Sequence, residues 1–219
     1  MARAKIDELN ILSNDSIDFT ENNSETFDYH EFIAHYFDSM KITDRQKKER
    51  QEASEEIFDA ILLFLMWCEN APERVQEEET QRSFENMYKE VLFQFAEPDD
   101  YLDEYVALFI PQLIKVTLDH QGEEYFTSVE RAAFNAVNES NTLFNHIDIE
   151  KAKLVGFTKK TWIAEVDDRT REDHLEMNGW TIPIDDYFIF EDCMMLFPHD
   201  YVHGTMKQLS NCRCSLKFS

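Results

Sequence analysis

Glycine and proline are scarce, at four and five in 219 residues. A turn-rich β fold draws on both, so the shortage points to long helices joined by few turns. It also excludes a phosphate-cradling glycine loop, because no two glycines stand close enough to build one. Basic residues are few as well. Lys and Arg number 21 against 45 Asp and Glu, a formal charge of -24. Such a chain lacks the cations that neutralise a phosphate backbone, so direct DNA binding is expected to be absent or weak. No apolar run reaches the eighteen residues of a membrane span, and no membrane role is expected. Met1 to Asp7 has no apolar secretory core, so synthesis in a cytoplasm is expected. Four cysteines are too few for a disulfide scaffold of this length. Cys68 and Cys193 stand apart while Cys212 and Cys214 form a close pair, which reads as reduced thiols or a metal site.

What is present is aromatic and acidic. Eighteen phenylalanines and an apolar share of 43% supply enough burial to offset the entropy of ordering a chain this long. The negative charge is uneven. Residues 1–149 hold 12 basic and 33 acidic side chains, whereas residues 150–219 hold 9 and 12. The first part should repel DNA and seek a basic or mixed-charge protein partner.

The fold class read from pattern is α+β: a mainly helical first two-thirds followed by a small C-terminal α+β unit. Residues 1–28 are polar with scattered apolar anchors and read as a flexible arm. Residues 29–150 read as a helical module. Phe32, Ile33, Tyr36, Phe37 and Met40 mark a short helix, and Thr43 with Gln46 has the spacing of a capping box opening a second. That second helix is apolar all round from Ala60 to Cys68, which predicts a central place, and it stops near Pro72. Pro72 suits the first turn of a third helix carrying Phe84, Tyr88 and Leu92. A fourth carries Leu102, Tyr105, Phe109 and Leu113, with a kink expected at Pro111. A fifth covers roughly residues 126–145, with a small-residue face of Ala132, Ala133 and Ala136. Residues 151–219 change texture. Extended segments are expected at residues 161–166, 180–184, 187–190, 194–197 and 214–218, with a short helix over 168–177 ended by Asn178-Gly179.

The chemistry-bearing residues lie in that last part. In order they read K-T-W-I-A-E-V-D-D-R-T-R-E-D-H, then N-G, a Phe, F-P-H-D and N-C-R-C, picking out Trp162, Asp168, Arg169, Arg171, His174, Gly179, Phe188, Pro198, Asp200, Asn211, Cys212, Arg213 and Cys214. The series resembles the Mu-F-like head-morphogenesis family of tailed phages, the minor capsid or minor head proteins, over residues 159–216. Two departures stand out. The family's Arg-Thr-Glu upstream is matched here only by Arg131, without the Thr-Glu pair, and the glycine of its Pro-Gly-Asp turn is replaced by His199. The resemblance implies a non-enzymatic virion protein, made in the bacterial host cytoplasm. It further implies binding to the phage portal protein and other head proteins inside the capsid, with a role in procapsid assembly and, in some phages, DNA delivery.

Independently of that resemblance, His174, Cys212 and Cys214 offer the imidazole and thiolates that zinc prefers, with Cys193, His199 or His203 as a fourth donor. The competing reading places both cysteines on one face of a strand and His174 in a core hydrogen bond. Asp168 is expected to cap the short helix, and Arg169 and Arg171 to form forked carboxylate pairs. Trp162 and Trp180 read as packing residues. A metal-dependent hydrolase or nuclease using the His/Cys cluster is the alternative from another functional class, and it requires an open coordination position.

Overall fold

The computed structural model describes residues 27–219. All but the last two residues of the expected acidic arm therefore lie outside the described residues. Among the described residues five helices come first: α1 (Tyr29–Asp38), α2 (Asp44–Asn70), α3 (Glu78–Leu92), α4 (Asp100–Asp119) and α5 (Val129–Leu154). Then follow β1 (Lys159–Ile163), α6 (Glu172–Met177), β2 (Thr181–Pro183), β3 (Phe188–Ile189), β4 (Met194–Met195), α7 (Met206–Leu209) and β5 (Ser215–Phe218). This is the α+β class that the pattern predicts. No helix among the described residues is long and apolar enough to cross a membrane.

The chain divides into two compact units, one of residues 1–32 and 53–136, the other of residues 33–52 and 137–219. The division passes through α1, α2 and α5. In the first unit the apolar run of α2 is buried as its pattern requires: Ala60, Ile61, Leu63, Phe64, Leu65, Trp67 and Cys68 are all in the core. Phe64 packs on Phe84 of α3 at 4.7 Å between ring centroids, and Tyr88 on Phe109 of α4 at 5.3 Å. The Tyr88 and Tyr105 hydroxyls meet at 2.9 Å, so two polar tips are satisfied inside an aromatic core. Asp99 caps α4 by accepting from the Leu102 amide at 2.9 Å. α4 continues through Pro111 to Asp119. The expected small-residue face of α5 is buried at Ala132, Ala133 and Ala136. One expectation is corrected here. Pro72 opens no α-helix; a 3-10 turn at Arg74–Gln76 intervenes and α3 starts at Glu78.

In the second unit the capping box forms as predicted. The Thr43 amide donates to Gln46 Oε1 at 3.1 Å and the Gln46 amide to Thr43 Oγ1 at 3.3 Å. β1 is the centre of a three-stranded antiparallel sheet in the order β2-β1-β5, with Lys160 opposite both Ile182 and Phe218. β3 and β4 form a separate two-stranded ribbon. The sheet carries a small apolar cluster of Trp162, Ala164, Met177, Phe188, Phe190, Met195, Leu209, Cys212 and Cys214. Gly179, at φ 86°, makes the left-handed turn that the sequence predicts, and its amide donates to the Trp162 carbonyl. α5 runs nine residues beyond the expected end near 145. Its later part is solvated by charge at Asp148, Glu150 and Lys153, yet Ile147, Ile149 and Ala152 are buried, so the helical period persists.

Candidate functional site

The site begins with α5. From Glu139 to His146 nearly every side chain is buried although most are polar. Buried polar groups need partners, and here the partners are the loops that carry the C-terminal motif. Asn138 Oδ1 accepts from the Asn211 amide at 3.1 Å, and Asn145 Nδ2 donates to the Pro198 carbonyl at 2.7 Å. Asn141 Nδ2 donates to the Tyr36 hydroxyl at 3.2 Å, which in turn donates to the Cys212 carbonyl at 3.0 Å. Asparagines at i, i+3 and i+7 lie on one helix face, so α5 serves as a hydrogen-bonding rail. Beside it, the buried Arg50 guanidinium donates to Asn145 Oδ1 at 3.2 Å and Asp148 Oδ2 at 3.1 Å.

On this rail the loop over residues 196–214 is held in two left-handed residues that are not glycine, His199 at φ 64° and Asn211 at φ 59°. Asparagine tolerates that conformation, which accounts for Asn211 before the cysteines. His199 stands where the resemblance has glycine, and its backbone still adopts the conformation glycine favours. Its Nε2 donates to the Cys212 carbonyl. Asp200 is fully buried and accepts from the Leu196 amide at 2.7 Å and from His203 Nδ1 at 2.9 Å. Gly204 is required for contact rather than for φ, since a Cβ there would meet the Asp200 carbonyl at 2.7 Å.

His174, Cys212 and Cys214 come together in the interior. His174 Nδ1 lies 3.5 Å from Cys212 Sγ and 3.4 Å from Cys214 Sγ, and all three residues are buried. They are the group among the described residues whose ligand atoms gather within 4.8 Å of one another. Cys193, His199 and His203 are outside it: His199 and His203 are engaged as described, and Cys193 is half-buried against the same apolar cluster. His174 Nε2 donates to Gln208 Oε1 at 3.0 Å, and Gln208 Nε2 donates to Asp173 Oδ2 at 2.8 Å and Asp192 Oδ1 at 2.9 Å. Trp162 and Phe190 pack on the imidazole at 5.4 Å between centroids. Burial resists charge on Cys212, but its contacts with Cys214, His199 and His174 outweigh this and pull its thiol down. Cys214 is pushed up by its hydrogen bond to Cys212 and by burial.

These positions account for the motif in physical terms, and a family comparison decides what it is. Residues 109–217 match the family described as Phage Mu protein F like protein. Over that span the chain belongs to the Mu F-like family. It is a phage head-related protein, as the sequence resemblance implies. No curated protein and no solved structure is significantly similar to the chain. The Mu F-like region starts within α4, well upstream of the motif residues 159–216, and takes in the whole α5 rail.

Several expectations within the Mu F-like region are corrected. Asp168 is exposed and caps nothing: α6 begins at Glu172, and Arg171 occupies its N-cap without a side-chain bond. The strong carboxylate pair is not made by Arg169 or Arg171. Arg213 Nη2 reaches both oxygens of Asp167 at 2.7 Å, and this hydrogen bond holds the Asp167 carboxyl down to about 2. Arg169 lies 3.8 Å from Asp167, and Arg171 donates to the Ser210 carbonyl. Trp162 is buried as predicted, whereas Trp180 is 57% exposed. Asp167, Gln208 and the α5 asparagines were not legible as site residues. For the asparagines alone, the run of polar residues at helical spacing from Asn138 to Asn145 was a signal.

Proposed function

We propose that this protein is a minor head protein that binds the phage portal vertex inside the head, where it assists procapsid assembly and takes part in DNA ejection. The observation that carries the reading is the Mu F-like match over residues 109–217. Charge supports the mode of action. The acidic excess lies in residues 1–149, a composition suited to basic or mixed-charge protein surfaces and unsuited to packaged DNA. The buried hydrogen-bonded loops of the second unit fit a rigid anchor better than a moving part, because their polar groups have no alternative partners in an apolar surrounding.

Nothing among the described residues favours a metal-dependent hydrolase or nuclease. The His174, Cys212 and Cys214 group includes no carboxylate to act as a general base, and all three are buried. The test is co-purification of the full chain with the portal protein of the same phage, repeated after deleting residues 159–219. Retention by the full chain and loss on deletion are expected. Failure to bind, together with absence of the protein from mature particles by mass spectrometry, would overturn the reading.

A further inference from the structure

We propose that His174 Nδ1, Cys212 Sγ and Cys214 Sγ form a zinc site that cross-links α6 to the segment leading into β5. Four observations converge on it, none of which depends on the proposed function.

The first is the tautomer. Gln208 is fully buried, and its amide nitrogen faces two carboxylates, Asp173 and Asp192, at 2.8 Å and 2.9 Å. A carboxylate can only accept, so Gln208 must turn its NH2 toward them and its oxygen toward His174. His174 Nε2 then carries the ring proton, and Nδ1 presents a bare lone pair to the two sulfurs. This is the outer arrangement of a metal-bound histidine, in which the distal N–H is anchored by an oxygen that is itself held.

The second is distance. Zinc sits about 2.3 Å from sulfur and about 2.0 Å from nitrogen, so a tetrahedral site has nitrogen-to-sulfur edges of roughly 3.5 Å. The observed separations are 3.5 Å and 3.4 Å. Thiol-to-imidazole hydrogen bonds also fit that length, and the experiment below separates the two.

The third is the alternation of Cys212, Arg213 and Cys214. In extended chain, residues i and i+2 face one side and the residue between them the other. Arg213 accordingly reaches out to Asp167, leaving both sulfurs with His174. One residue between the cysteines thus suffices, because the histidine comes from a different element and no tight chelate loop is needed.

The fourth is charge. Two thiolates, a neutral imidazole and one divalent cation sum to zero. That sum lets the cluster sit among Trp162, Phe190 and Leu209 without an unpaired buried charge. On binding, each thiol loses its proton to solvent and each sulfur forms one bond to the metal. Three protein donors leave one tetrahedral position to a non-protein donor; with no carboxylate in the group to activate water and all three donors buried, that position completes a cross-link and does not make a hydrolytic centre. The apolar cluster beneath the sheet is small, and such units gain most from a cross-link.

The experiment uses the full chain, purified under reducing conditions and dialysed against excess zinc and then metal-free buffer. Elemental analysis is expected to find one zinc per chain. Cobalt in its place should give the intense near-ultraviolet thiolate-to-cobalt band together with the visible bands of tetrahedral cobalt. Cys212→Ser and Cys214→Ser should each abolish the band. Cys193→Ser should retain it, and its loss in that variant would overturn the three-donor set. The wild-type chain decides the matter even where a variant fails to fold. A folded wild-type chain that leaves dialysis metal-free, with Cys212 and Cys214 titrating as thiols, overturns the site in favour of the hydrogen-bonded cluster. Retention of the cobalt band in the Cys212→Ser, Cys214→Ser double variant would overturn it too, by placing the metal elsewhere.

Discussion

The two units bury different kinds of side chain. In the first, the buried polar residues among those described are Ser54, Thr117 and Arg131, set in a core of aromatic rings. In the second, fifteen polar or charged residues are buried, from Arg50 and the α5 run to Asp200, Gln208 and Arg213. Apolar burial is non-directional and tolerates many packings, whereas a buried hydrogen bond fixes both the distance and the orientation of its partners. The first unit is therefore specified mainly by volume and pattern. The second is specified by pairings, each of which leaves an unpaired group when broken.

Truncation of a large ring should cost most and should not distinguish the units. Phe64→Ala in the first and Trp162→Ala in the second should each lose about 4 kcal/mol in urea unfolding. A loss under 1 kcal/mol at either would show that the core there has been misplaced. Polar changes that keep shape should break the symmetry. Asp200→Asn removes a charged acceptor facing the Leu196 amide and His203, and should cost about 3 kcal/mol despite equal volume. Tyr88→Phe in the first unit should cost about 1 kcal/mol. Equal costs for these two would erase the proposed difference.

Lys160 sharpens the comparison through pH. Its ammonium is buried, its Nζ has no hydrogen-bond partner among the described residues, and burial lowers it to about 8 from 10.5. Below pH 8 the lysine is charged in both states, and the folded state bears the desolvation cost. Between 8 and 10.5 the folded chain has released a proton that the unfolded chain still holds, so stability should rise with pH across that window. Lys160→Met should stabilise the protein at neutral pH by about 2 kcal/mol and flatten that rise in denaturant melts. A slope unchanged by the substitution would show that the rise belongs to other groups. The smallest effect is expected from His199→Gly. Relief of a left-handed backbone, worth about 1 kcal/mol, is offset by loss of the Nε2 bond to the Cys212 carbonyl. Melting temperature should barely move, and a large drop would mean that the side chain matters more than its backbone.

Much of this protein is written in local pattern. The apolar run of α2, the Thr43 to Gln46 box and the Asn178-Gly179 turn form as read, because each depends on neighbours within a few residues. His174, Cys212 and Cys214 were legible as a donor set from residue type alone. Their meeting, 38 and 40 positions apart in the chain, was not. Tertiary structure decided that Cys193 stands outside the group, that Arg213 takes Asp167 in place of the pairings expected for Arg169 and Arg171, and that Asp168 caps nothing. It also decided that Asn138, Asn141 and Asn145 hold the motif loops. Helical period and turn chemistry are short-range and survive in sequence. Which buried donor meets which acceptor depends on how loops close over long separations, and only the folded chain brings those partners together.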